Sequence, residues 1–213
     1  MCKPALLAHH HDMSPGIRVL LAVSLAGCAG HRIVPPPPMP TDATPYQILV
    51  ARARSGDTLI DFTALRRMYS QMAWGAPLAA WGTLVTHARQ APDNAGARAA
   101  IDSALDLYYG SVRAHEIAES ILRTRGDRQD AATEEALVRG FVRSIAVGGG
   151  TSTDSAFSVY SIQEEYAVMR ARHLRVTRQA LLKGKGQYSY DALTGVDSAG
   201  RSVTYYFRLL NGL

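Results

Sequence analysis

From residue 45 to about residue 147, apolar side chains recur at the i, i+3, i+4, i+7 spacing that puts them on one face of a helix. Phe62, Leu65, Met68, Tyr69 and Met72 form one such stripe behind Asp61, a residue suited to cap a helix N-terminus. Ile60, just before that cap, is placed to pack on Leu65 as a hydrophobic staple. A helix rich in Ala, Leu and Trp follows over 77–89, and beyond the Asp93-Asn94 turn come stripes at Ile101, Ala104, Leu105 and Tyr108, then at Ala114, Ile117, Ala118, Ile121 and Leu122. Gly126 ends the last of these and Asp127 caps a helix whose stripe is Leu137, Gly140, Phe141, Ser144 and Ile145. Connections this short predict antiparallel helical hairpins.

The run Gly148-Gly149-Gly150 breaks the helical period, and strand chemistry follows. A short strand is expected at 157–160 and another at 174–182. A hairpin is expected from 187–196 and 201–209 across Asp197-Ser198-Ala199-Gly200, with Val203, Tyr205, Phe207 and Leu209 alternating against Ser202, Thr204, Tyr206 and Arg208. Between the first two strands, Ser161-Ile162-Gln163-Glu164 reads as a capping box opening a helix to about Ala171. The expected fold is α+β: N-terminal antiparallel helical hairpins (45–147) packed on a small, mostly antiparallel C-terminal sheet with one helix (148–213), all in one domain.

The N-terminus follows a different logic. Arg18, the apolar run from Val19 to Ala26 and a small-residue ending are the three parts of a secretory signal, and the run is far shorter than the ~20 residues a spanning helix needs. It ends in Leu25-Ala26-Gly27-Cys28, which resembles the lipobox of bacterial lipoproteins, so residues 1–27 read as a signal peptide and Cys28 as the lipidated residue. His9, His10, His11 and Asp12 sit badly in a signal, whereas a start at Met13 gives a compact basic leader. Residues 28–44, with Pro35 to Pro38 and Pro40, read as a tether in polyproline II. Ala29, uncharged, resembles the sorting residue of outer-membrane lipoproteins, which implies a lipid-anchored protein at the periplasmic face of the outer membrane.

Composition narrows the picture further. The 213 residues are 47% hydrophobic and 19% charged, enough apolar surface for a core and too little charge for a disordered chain. The formal net charge is +5, carried by dispersed arginines with no basic run, so nucleic acid is not an expected partner. Cys2 and Cys28 are the two cysteines, and the loss of Cys2 with the signal leaves no pair for a disulfide.

The stretch Ser144-Ile145, Gly148 to Ser152, Ala156-Phe157-Ser158-Val159, Glu164-Glu165-Tyr166-Ala167-Val168-Met169-Arg170, then Gln179-Ala180-Leu181 and Tyr190-Asp191-Ala192-Leu193, resembles the bacterial family of unknown function DUF4919. Phe62-Thr63-Ala64-Leu65-Arg66-Arg67-Met68-Tyr69 is similar to the family's early motif. The family pattern has Gly-Asp-Gly where this chain has three glycines. The resemblance implies a secreted or lipidated protein of mixed helix and sheet and carries no activity with it.

Candidate chemistry is sparse. Glu164 and Glu165 form an acid pair, but adjacent helical residues point about 100° apart, and the first turn of a helix is where acids are favoured in any case. His87, His115 and His173 are isolated, and Glu119 stands where a His-Glu-x-x-His motif needs its second His, so neither metal nor cofactor is expected. The glycine run follows a helix and precedes no Gly-Lys-Ser/Thr, which argues for a C-cap and hinge over a phosphate cradle. Two readings follow. The first is a non-catalytic binding or scaffold module of the envelope, its partner an envelope protein, peptide or glycan. The alternative is a small periplasmic enzyme with a polar site near the 148–154 turn, using Asp154, Glu165 and Tyr166.

Overall fold

The computed structural model describes residues 42–72, 78–184 and 189–210. Cys28 and the proline-rich tether lie outside the described residues. Among the described residues six helices precede the first strand: α1 (Pro45–Arg54), α2 (Phe62–Gln71), α3 (Leu78–Gln90), α4 (Asn94–Tyr108), α5 (Val112–Thr124) and α6 (Arg128–Ile145). Their starts follow from side-chain acceptors for otherwise orphaned amides. Asp61, Asp93 and Asp127 accept from the backbone N–H of Ala64, Gly96 and Asp130 at 2.9, 2.7 and 3.2 Å. Thr44 and Gln47 form a reciprocal capping box at α1, with Pro45 at its first position. Gly126, at φ +81°, turns the chain out of α5 and into the Asp127 cap.

The second half holds β1 (Phe157–Val159), α7 (Ile162–Ala171), β2 (Arg175–Lys183), β3 (Ser189–Val196) and β4 (Ser202–Leu209). The strands form one mixed sheet in the order β1-β4-β3-β2. β2, β3 and β4 form an antiparallel meander, with a bulge between Val176 and Arg178, and β1 adds parallel to β4 with Phe157 opposite Phe207. The fold is thus α+β, helices first and a small sheet with one helix after.

All three glycines of the 148–150 run have positive φ (+109°, +106° and +72°), a conformation that costs a side-chain-bearing residue strain. Gly150 has a second reason, since a Cβ there would lie 2.2 Å from the Phe157 ring. Its carbonyl accepts from Tyr206 N–H at 2.7 Å, which docks the turn onto β4. The run is a structural joint between α6 and the sheet. α7 ends in a Schellman motif that the sequence did not announce: His173 takes the left-handed position at φ +56°, and Leu174 N–H reaches Met169 O at 3.0 Å.

The interior is two adjoining clusters. The helical one includes Leu65, Leu105, Leu122, Leu137 and Phe141, and the other gathers Ile145, Phe157, Val159, Val168, Met169, Leu193 and Phe207 under the sheet. α6 feeds both, through Phe141 and Ile145, while α7 sends Ala167 to the helical cluster and Val168 and Met169 to the sheet.

Candidate functional site

Arg66 follows Leu65 of the α2 stripe and is 3% exposed. A guanidinium so deep must have every donor directed to an acceptor. Its Nε and Nη2 donate to the two carboxylate oxygens of Glu164 at 2.8 and 2.7 Å, a bidentate fork. Nη2 also donates to the Ser158 carbonyl at 3.0 Å and Nη1 to Ser144 Oγ at 3.3 Å. The Tyr160 ring lies 5.3 Å from the guanidinium carbon. Arg66 therefore ties α2 to α6, β1 and α7. Segments on either side of the glycine run thus meet at this one side chain.

This corrects the expected capping box. Glu164 accepts from Tyr160 N–H at 2.8 Å and from Arg66, and Ser161 makes no side-chain cap bond at the start of α7. The sequence signature was present, but a buried arginine 98 residues away supplied a charged, bidentate partner in place of the Ser161 amide.

Above the pair opens a cleft of about 120 Å³. Its walls are aromatic: Tyr69, Trp81, Tyr108 and Tyr160, with Trp81 edge-on to Tyr108 at 5.0 Å between ring centres. Gly110, Ser111, Ser161 and Gln163 also line it, so the starts of both α5 and α7 border the cleft. Gly110 is required there, because a Cβ would lie 2.2 Å from the Tyr69 Cβ and 2.3 Å from its ring carbon Cγ. Burial holds the Tyr69 phenol above its ordinary value, so it is a neutral wall. The charged groups of the cleft are committed to ion pairs, Arg66 to Glu164 and Arg113 to Glu116. None of these aromatics was singled out from the sequence as part of a site; the signal was four rings on separate elements, which only the fold brings together.

The three residues suggested for a polar site separate. Asp154 is exposed on its turn. Glu165 is fully buried between α7 and the sheet, neither of its oxygens meets a hydrogen-bond donor, and its carboxyl is pushed up to about 9, first by burial and then by the Asp191 and Glu164 carboxylates. Tyr166 reaches the same region through Gln179: its hydroxyl donates to Gln179 Oε1 at 3.2 Å, and Gln179 Nε2 donates to Asp191 Oδ2 at 2.9 Å. Asp191, 5% exposed, was not foreseen, because an acid in an alternating strand reads as a position facing solvent.

His115 is structural. Its Nε2 lies 2.8 Å from the Tyr109 carbonyl, which can only accept, and its Nδ1 lies 2.6 Å from Glu134 Oε2, with the ring held between Tyr109 and Phe141. Among the described residues no three His, Cys, Asp or Glu side chains are grouped to hold a metal ion, and no helix is long and apolar enough to cross a membrane. No family model, curated protein or solved structure matches the chain.

Proposed function

We propose that this chain is a non-catalytic binding module of the bacterial cell envelope, akin to the DUF4919 proteins, anchored through lipid on Cys28 and held off the outer membrane by its proline-rich tether. The ligand, an exposed segment of an envelope protein, a peptide or a glycan, seats in the cleft of Tyr69, Trp81, Tyr108 and Tyr160. One observation carries this reading: the cleft offers ring faces and hydroxyls for stacking and hydrogen bonding, while its charged groups are already held in ion pairs, Arg66 with Glu164 and Arg113 with Glu116 outside the cleft. The enzyme reading draws its support from Glu165, Asp191 and Tyr166 lying in one network, but a fully buried Glu165 has no path to a substrate.

Two measurements test the proposal. Palmitate labelling and membrane fractionation should both be lost in Cys28→Ala, since stable anchoring needs more than a single weak signal. Titration of the labelled domain with peptidoglycan fragments and with a panel of envelope peptides should shift the amides around Tyr69, Trp81, Tyr108 and Tyr160, and Tyr160→Ala should weaken that binding by about tenfold or more, consistent with a stacking contact of 1–3 kcal/mol. Turnover of any of these compounds that disappears in Glu165→Gln while the fold survives would replace the binder with the enzyme.

A further inference from the structure

We propose that Glu165 and Asp191 share a single proton and that this proton is the clamp holding α7 on the sheet, so the protein carries a built-in sensitivity to alkali. The geometry makes the argument. Glu164 and Glu165 are neighbours on α7 and point in different directions, and the one cation at hand, Arg66, faces Glu164 with both arms of its fork. Glu165 is left fully buried beneath the sheet face that carries Asp191, itself 5% exposed and on the same side of β3 as Leu193, which packs with Val168 and Met169 of α7.

Among the described residues no positive charge is paired with either carboxyl: on α5 and α6, which pack on α7, Arg113 turns to Glu116, His115 to Glu134, Arg123 to Glu119 and Arg139 to Glu135, and Arg143 is exposed. On α7, Arg170 turns to Glu116 and Arg172 to Tyr205. Arg208 of β4 turns to Ser158, and Phe207 is the β4 residue opposite Asp191. β2 presents Gln179 and, opposite Asp191, Leu181. The titratable groups that face Glu165 are therefore the carboxylates of Asp191 and Glu164.

Two facing buried carboxyls cannot both ionise without a cation. Gln179 satisfies one Asp191 oxygen, and the hydrogen bond lacking on Glu165 is the one its own acid hydrogen would donate to Asp191. The neutral acid and the carboxylate then satisfy each other, and the Tyr166–Gln179–Asp191 chain fixes which way the carboxylate faces. Because α7 also supplies Ser161, Gln163 and Glu164 to the aromatic cleft, the clamp supports one wall of that cleft, yet the proposal stands whether or not the cleft binds anything.

The sign follows from linkage. An acid whose folded-state value lies above its unfolded value stabilises the fold fully below the unfolded value, and that stability is lost as pH rises through the folded one. For Glu165 the window runs from about 4.5 to about 9. The isosteric Glu165→Gln keeps a donor for Asp191 and removes the titration. Melting the purified domain and this variant from pH 5 to pH 10 should give a Tm difference, variant minus wild type, that grows with pH and levels off near 9. A difference independent of pH would overturn the proposal. A second measurement needs no variant to fold: infrared difference spectra of the wild type should show a protonated carboxylic acid at pH 7 that disappears above pH 10. A spectrum with ionised carboxylates alone at pH 7 would refute the shared proton.

Discussion

At the residue scale the two adjacent glutamates show how neighbours in sequence come to opposite chemical fates. Glu164 meets a bidentate guanidinium and a backbone N–H, and Glu165, one helical step away, meets another carboxylate. Removing one partner of a buried ion pair leaves the other charge uncompensated, which costs about 3–5 kcal/mol, whereas replacing both by apolar groups is often neutral. Glu164→Gln should therefore lower stability by about 3 kcal/mol in a denaturant titration, and Arg66→Met combined with Glu164→Leu should recover much of that loss. Ser161→Ala, which removes no side-chain cap bond, should change stability by less than about 0.5 kcal/mol. A large loss in Ser161→Ala with a small one in Glu164→Gln would restore the capping box and remove the Arg66 anchor.

At the element scale, what was legible in the sequence was whatever is local. The Asp caps at 61 and 127, the Gly126 stop, the 197–200 turn and the β4 alternation depend on residues within a few positions of one another, and all appear in the structure, whereas Asp93, read only as part of a turn, proves to cap α4. The partners of Arg66 and Asp191 lie 98 and 12 to 26 residues away in sequence, so periodicity read one as an ordinary helix residue and the other as a wet strand position. The aromatic cleft was hidden for the same reason, since Tyr69, Trp81, Tyr108 and Tyr160 sit on or beside four different helices. The glycine run reads in sequence as a helix C-cap and hinge; α6 is instead capped at Ala146, two residues before the run, and the structure shows why each glycine position differs. Gly149 has open space around its missing side chain, and Gly150 abuts Phe157. Gly149→Ala should cost only the strain of a positive φ, about 1 kcal/mol, whereas Gly150→Ala must also displace a fully buried ring and should cost roughly 3 kcal/mol or more. Equal melting temperatures for the two variants would mean that the Phe157 ring yields freely.

At the scale of the whole molecule the question is whether the helical half and the sheet-bearing half unfold together. The second cluster is small, and a segment as short as residues 150–213 rarely draws more than ~3–5 kcal/mol from its own core. It borrows Ile145 from α6, and Glu164 beside it is neutralised by Arg66 from α2. In the other direction α7 lends Ala167 to the helical cluster. Residues 150–213 expressed alone would keep Glu164 without Arg66 and lose the α6 cover, two defects that together exceed what the fragment's own core supplies. We expect that fragment to give a collapsed amide spectrum. In the full chain the probes separate naturally, because both tryptophans, Trp74 and Trp81, precede the glycine run while six of the ten tyrosines follow it. Tryptophan fluorescence should report the helical half and the amide resonances of β2, β3 and β4 the sheet. For one cooperative unit the two denaturation curves coincide, and Glu164→Gln moves both midpoints by the same amount. If instead the sheet resonances melt at lower denaturant in Glu164→Gln while the fluorescence transition stays in place, Arg66 and α6 are a seam between two independent units.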